Sequence, residues 1–281
     1  VFNSGSLTGK KIDGSTAREG GFRDWNWGAT LEGPIIKDKL WFFAAYEEVQ
    51  DAGVIVNTGP SGAGFARELD FLTTQQADEL QTAFRDIYGR DVIGVAQNLP
   101  DESRRILGRV DWQINDDHRA AFTYSRLREL RQDPDDAFTR FTGFTFLDNF
   151  EEEGTETESY ALRVFSNWTD NLTTEFRVSR LDVTDIQNPV GGGEAQDDNP
   201  LVRLEIRNVF NNGESGSVLS GPGFSRSAND LQLQTDQVKF KADYTWGDHT
   251  FTAGYELDQL DIFNLFVQNA TNTISFNTVA D

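Results

Sequence analysis

The sequence predicts an all-β fold: an antiparallel transmembrane β-barrel segment of about eight strands, paired as four hairpins. Three observations carry this. Apolar and polar residues alternate with period two in four separate stretches, as strands with two different faces require. Four of the six tryptophans (Trp41, Trp112, Trp168 and Trp246) stand close to the short reversals of those stretches, where an aromatic girdle at a bilayer interface would lie. The reversals on one side are short, while the connections on the other, 49–102, 130–157 and 184–235, are long. Loops of that length are uncommon inside a compact soluble domain, and this asymmetry is that of outer-membrane barrels.

Residues 1–23 are Gly/Ser-rich and read as irregular. The first hairpin lies near 25–48, with Pro34 and Lys37-Asp38-Lys39 forming its connection. Beyond that turn Leu40, Phe42 and Ala44 alternate with Trp41, Phe43 and Ala45, so both faces are apolar there. The second hairpin lies near 103–129: Ile106, Gly108, Val110, Trp112 and Ile114 face one way, and Arg109, Asp111 and Gln113 the other. The third, near 158–183, sets Tyr160, Leu162, Val164 and Trp168 against Ala161, Arg163 and Phe165. The fourth, near 236–261, sets Val238, Phe240, Ala242, Tyr244 and Trp246 against Lys239, Lys241 and Asp243. Within the first long loop Ala77, Leu80, Phe84 and Ile87 recur at helical steps, Thr73 or Thr74 can cap the start, and Gly89 ends it. This one short helix is expected to pack on the rest of its own loop.

Composition narrows the function classes. Cysteine is absent, which removes disulfides, thiolate metal sites and a thiol nucleophile. Methionine is absent too, position 1 included, so the chain reads as a mature or excised piece. No run of 18 apolar residues offers a spanning helix. A mean hydropathy of −0.52 fits a barrel, in which only alternate residues meet lipid, as well as it fits a soluble protein. The net charge of −21 argues against a nucleic-acid partner, whose phosphates need Lys and Arg.

Candidate sites are few. The expectation is no catalytic residue, no cofactor and no metal site, hence no enzyme. His118 and His249 each follow the Asp of a short turn, at equivalent rim positions that suit capping or the membrane interface. Gly59–Gly64 and Gly191–Gly193 lack the strand–helix setting and the Lys of a phosphate loop, and read as flexible. The stretch 130–158 carries nine acidic residues (Asp133, Asp135, Asp136, Asp148, Glu151, Glu152, Glu153, Glu156 and Glu158). Carboxylates suit Ca²⁺, yet the Asp-x-Asp-x-Asp-Gly spacing is missing and a solvated face is the plainer reading. Phe138, Phe141, Phe144, Phe146 and Phe150 interleave with them, either as exposed ligand contacts or as a collapsed loop. Glycosylation-type spacings occur at Asn167, Asn171 and Asn269, a motif frequent by chance.

One stretch also has a family likeness. Gly33-Pro-Ile-Ile-Lys-Asp-Lys-Leu-Trp-Phe-Phe-Ala-Ala-Tyr-Glu47 resembles the GGPIIKDKLFFF-x-x-YE signature of TonB-dependent outer-membrane receptors, specifically the Oar-like group. Glu32 stands where that pattern has Gly, and Trp41 where it has Phe. Arg105-Ile-Leu-Gly-Arg-Val-Asp-Trp-Gln-Ile-Asn-Asp-Asp-His118, Gly247-Asp-His-Thr-Phe-Thr-Ala-Gly-Tyr-Glu256 and Asp261-Ile-Phe-Asn-Leu-Phe266 are similar to the same group. The resemblance implies a partial receptor barrel in the outer membrane of a Gram-negative type cell, engaged in energised transport of an unidentified ligand. It implies outer-membrane lipid and a TonB energy-coupling complex as partners, the latter through a plug domain expected upstream of Val1. About eight strands would supply roughly a third of a 22-stranded wall. The alternatives are a complete small barrel acting as adhesin or anchor, and a secreted soluble β-sandwich that binds carbohydrate or protein.

Overall fold

The computed structural model describes residues 2–10, 16–91, 93–96, 98–134 and 143–281. A nine-stranded antiparallel sheet dominates it, with strands adjacent in chain order. They are β1 (Phe2–Lys10), β2 (Thr16–Ile36), β3 (Leu40–Ile55), β6 (Asn98–Gln113), β7 (His118–Pro134), β9 (Phe150–Thr169), β10 (Leu172–Pro189), β13 (Asn229–Trp246) and β14 (His249–Phe266). Between these strands the long connections carry short elements of their own. β1 and β14 are the two edges, so the sheet does not close on itself and an eight-stranded closed barrel is not formed.

Side-chain chemistry at the reversals explains the tight turns. In the first, the Lys39 amide donates to the Ile36 carbonyl at 3.0 Å and Asp38 takes φ +59°. In the second, Asn115 Oδ1 accepts from the amides of Asp117 (3.0 Å) and His118 (2.9 Å), an Asx turn. In the third, Thr169 Oγ1 does the same for Asn171 and Leu172, and in the fourth Gly247 supplies φ +60°. Pro34 is not part of its turn. It lies inside β2 opposite Trp41, at a register shift between Pro34 and Ile36 where its missing donor is tolerated.

Two expectations about extent are corrected. Residues 2–10 and 16–23 are not irregular: β1 pairs with the first half of β2 from Phe2–Trp25 to Lys10–Thr16, and residues 1 and 11–15 lie outside the described residues. A neighbouring strand offers backbone partners that outweigh Gly/Ser content, because strand propensity depends on context. The strands also run well past the alternating stretches, to 21 residues in β2 and 20 in β9. A tilted strand needs only about 9–11 residues to cross a bilayer, so the distal halves stand clear of it. On β7 and β9 both faces carry charged residues there and no alternation can be read, whereas the distal half of β14 keeps Leu260, Ile262, Phe263 and Phe266. Cross-strand ion pairs hold these halves: Arg131 to Glu153, Arg126 to Glu156 and Glu158, and Arg105 to Glu129 at 3.0 Å.

The long connections fold together into a separate layer. It contains β4 (Thr58–Ser61) paired with β5 (Arg67–Thr73), α1 (Thr74–Tyr88), and a mixed sheet in the order β15-β11-β12-β8. Those four strands are β8 (Gly143–Thr145), β11 (Arg203–Asn211), β12 (Glu214–Ser220) and β15 (Thr273–Phe276). α1 starts on a capping box in which Thr73 and Gln76 satisfy each other's amides, and ends at Gly89 in the left-handed region, φ +64°. Its buried stripe is Ala77, Leu80 and Phe84, whereas Ile87 is 70% exposed and does not belong to it. Nor does the helix pack only on its own loop. Phe84 meets Phe146 edge-on with ring centres 6.0 Å apart, and Tyr88 meets Phe276. One core joins Leu72, Phe84, Phe146, Leu204, Val209 and Val218, drawn from all three long connections.

Candidate functional site

The two faces of the large sheet follow from register. One transverse row runs Leu40, Trp112, Ala120, Val164, Phe176, Phe240, Tyr255 from β3 to β14. The next, on the same face, runs Phe42, Val110, Phe122, Leu162, Val178, Val238, Leu257. Two rows further from the short turns the face becomes charged: Arg126, Glu158 and Asp182 stand in line, with the hydroxyls of Tyr124 and Tyr160 donating to Glu158. An apolar belt bounded by tyrosines and then by ions is a lipid-facing surface. Phe122 and Phe240, flanked in their rows by other apolar residues, are each still 43% exposed.

The opposite face is polar. Arg109 grips Asp111 through two bonds of 2.7 Å, Lys239 meets Glu256 at 3.3 Å, and Lys241 meets Asp243 at 2.8 Å. Register carries Asp111 through Ala121, Arg163 and Arg177 to Lys239, so the polar residues expected from the second and fourth hairpins share one wall. A cavity of about 460 Å³ opens on it near the short turns, lined among others by Trp41, Arg109, Asp111, Arg119, Arg163 and Phe165.

The girdle needs one correction. Trp112 and Trp246 lie on the apolar face by register, and Trp168 joins them by donating to Thr174 Oγ1 at 2.9 Å and by a tilted contact with the His118 ring, centres 5.0 Å apart. Trp41, opposite Asp111, lies on the polar face. Nearness to a turn sets height in the sheet, but parity sets the face, and Trp41 is one residue out of phase with Leu40. His118 and His249 begin β7 and β14 at the short-turn rim, His249 beside Phe251.

The acidic stretch is held by arginines more than by solvent. Glu151 pairs with Arg226 at 2.8 Å, Glu153 with Arg131, and Glu156 with Arg126 and Arg128. Among the described residues no group of three or more Asp, Glu or His is placed to hold a metal ion. Phe144, Phe146 and Phe150 are buried; Phe138, Phe141, Asp135 and Asp136 lie outside the described residues. Gly193 and Glu194 donate their amides to Asp197 Oδ2 at 2.7 and 2.9 Å, so the triple-glycine stretch is a built turn.

Beneath the aromatic core sits a polar cluster that the sequence did not disclose. Asp148, 2% exposed, accepts from Ser220 Oγ at 2.6 Å and from the Gly221 amide at 2.8 Å, while Asn149 donates to the Gly221 carbonyl at 2.8 Å. Arg90, 1% exposed, donates to the Val202 carbonyl. Burial pushes the Asp148 carboxyl up to about 6 against the opposing pull of Ser220 and Arg90, and lowers Arg90. Glu194, bound by the Asn229 amide at 3.1 Å, is raised by burial to about 7. No pattern in sequence marks such groups, because the partners that bury them lie 35 to 112 residues away in the chain.

A lipid-facing belt, a polar inner wall and crossing by strands agree with the comparisons. The family model described as "Outer membrane beta barrel domain" matches residues 79–281. The chain belongs to this outer-membrane β-barrel family. It therefore resides in the outer membrane. No curated protein matches the chain in sequence. Among solved structures, the barrel domain is similar to the outer membrane transporter YddB from Escherichia coli, with TM-score 0.56 and 12% identity over 89% of this chain and 27% of that one. It also matches the ferric-catecholate import receptor Fiu from E. coli K12 in an open form, with TM-score 0.31 and 12% identity over 94% of this chain and 49% of that one. The barrel domain thus spans about a quarter of the first protein and about half of the second.

Proposed function

We propose that the barrel domain is part of the wall of a TonB-dependent, Oar-like receptor that moves a substrate across the outer membrane with energy supplied from the inner membrane. The single supporting observation is the open nine-stranded sheet with one lipid-facing and one polar wall, overlaying part of an outer membrane transporter. A wall that has used nine strands without closing is suited to a wide lumen, the architecture that needs a plug and an energy-coupling partner. On this reading the polar wall surrounds the passage, no bond is made or broken in the substrate, and the chain is not an enzyme. The soluble β-sandwich alternative gives way to the outer-membrane assignment.

The test is genetic and energetic. Deleting the gene is expected to reproduce, for one nutrient or secreted product, the defect caused by deleting the inner-membrane energy complex, and a protonophore is expected to abolish that flux in the parent strain. Flux that survives the protonophore unchanged would overturn the proposal.

A further inference from the structure

The strands of the loop layer stand in the same order as the connections that supply them. From one edge to the other the mixed sheet runs β8, β12, β11, β15. β8 belongs to the connection between β7 and β9, β12 and β11 to that between β10 and β13, and β15 to the segment that follows β14. The large sheet runs in the same sense, since its strands are adjacent in chain order and β14 is the last of them. The layer therefore grows around the rim in step with the wall beneath it, and β15 is its leading edge.

That edge is unfinished. One face of the mixed sheet carries the core: register sets Ile274 beside Leu204, and Phe276 beside Ile206 in line with Val218 and Phe144. Leu204 is 0% exposed, whereas Ile274, one strand further out, is 43% exposed. The other face is polar, with Ser275 Oγ donating to Glu205 Oε2 at 2.6 Å and accepting from Arg207 at 3.1 Å. Helix α1 runs out at the same margin. Ile87 lies three residues beyond the buried Phe84 and is 70% exposed, while its neighbour Tyr88 meets the Phe276 ring with centres 6.4 Å apart. Among the described residues no strand pairs with the outer side of β15. Its sequence, Thr-Ile-Ser-Phe, carries neither the charge nor the proline with which free edges are guarded. A bare apolar margin beside an unpaired strand edge is the setting for strand addition.

We propose that β15 pairs with a further extended segment, supplied by the next long connection of the same polypeptide, whose apolar side chains cover Ile274 and Ile87. The order of the connections argues for this occupant. The open edge of the wall on this side is β14, so strands that continue the wall lie beyond it and their outer connection rises beside β15. Length permits it, because the chain spans 27% of the transporter that it resembles. The inference rests on the transport reading only in taking the wall to continue past β14. It makes the loop layer a rim that lengthens with the wall, rather than a cap confined to the connections seen here.

The test uses the full-length protein in intact outer membranes. Ile274→Cys, Ile87→Cys and Ser275→Cys, made singly, are labelled with a membrane-impermeant maleimide and the label is assigned by peptide mass; this chain adds no cysteine of its own. A covered side chain reacts only through local opening, so both isoleucine positions are expected to label on the order of 10-fold more slowly than Ser275→Cys on the polar face. Ile87→Cys alters a side chain outside the core, so its result stands even where Ile274→Cys disturbs folding. A benzophenone amino acid at Ser275 is expected to cross-link to a segment of the same polypeptide beyond Asp281. Ile87→Cys that labels as fast as Ser275→Cys overturns the proposal, and so does a cross-link to a different protein or to a second copy. Neither readout needs flux, so a receptor that fails the protonophore test can still show the added strand, and the converse.

Discussion

The membrane sheet and the loop layer obey opposite rules of burial. In the layer, Leu72, Phe146, Leu204, Val209 and Val218 are at or near 0% exposed and make a core of the soluble kind. In the sheet, Phe122, Phe240, Tyr255 and Leu257 stay 43–61% exposed, and its few buried apolar residues, Leu99, Phe150 and Ile186, lie at strand ends adjoining the layer. The layer is held by exclusion of water. The sheet is held by its backbone ladder, with lipid as the solvent of its side chains. The same apolar residue type therefore has two meanings in one chain.

The largest contrast is expected from cavity formation. Phe146→Ala should destabilise the loop layer by about 3–5 kcal/mol, because surrounding side chains from three connections cannot close the gap. Proteolysis of intact outer membranes should then cut within the three long connections while the strands stay assembled. Equal loss of both regions would show that they fold as one unit.

Adjacent residues in one strand sharpen the comparison next. Val238→Lys places a charge on the apolar face and is expected to cost about 2–4 kcal/mol. Gln237→Lys, on the polar face opposite Asp258, should be close to neutral. The assembled, heat-modifiable fraction on gels reads both, and equal effects would contradict the assignment of faces.

In the layer, pH should act through two buried carboxyls. Asp148 and Glu194 are raised to about 6 and about 7 from ordinary values of 3.8 and 4.5, so the folded layer holds their protons more tightly than the unfolded chain does. Their stabilising contribution is complete below about pH 4 and is lost as pH rises through about 6 to 7. Loop proteolysis should quicken by on the order of 10-fold from pH 5 to pH 8, after correction for the protease's own pH profile. Asp148→Asn combined with Glu194→Gln should flatten that dependence. The smallest effect belongs to Thr73→Ala, which removes the helix cap at about 1 kcal/mol; amide exchange over the first turn of α1 reports it.

How much was legible varied with the physics of each part. Alternation disclosed the faces of the second and fourth hairpins because each strand meets two different solvents there. It failed for the distal strand halves, where Arg126 and Arg128, paired with Glu156, stand in place of the apolar residues. The stripe of α1 was readable, but its end was not: Ile87 has helical spacing and still points to solvent. Trp41 shows the limit of proximity arguments, since its distance from the turn suited the girdle while its parity placed it on the inner wall.

By itself the sequence determined the local facts: where the chain reverses, where the helix starts and stops, and, in the turn-proximal parts of the four hairpins, which residues extend and which side chains share a face. These depend on neighbours within a few residues. Only the tertiary structure decided that three distant connections build one core, that Asp148 and Arg90 lie buried beside it, and that Arg163 and Arg177 stand opposite each other. Those outcomes depend on strand register and on contacts between residues far apart in sequence, and no local pattern encodes either.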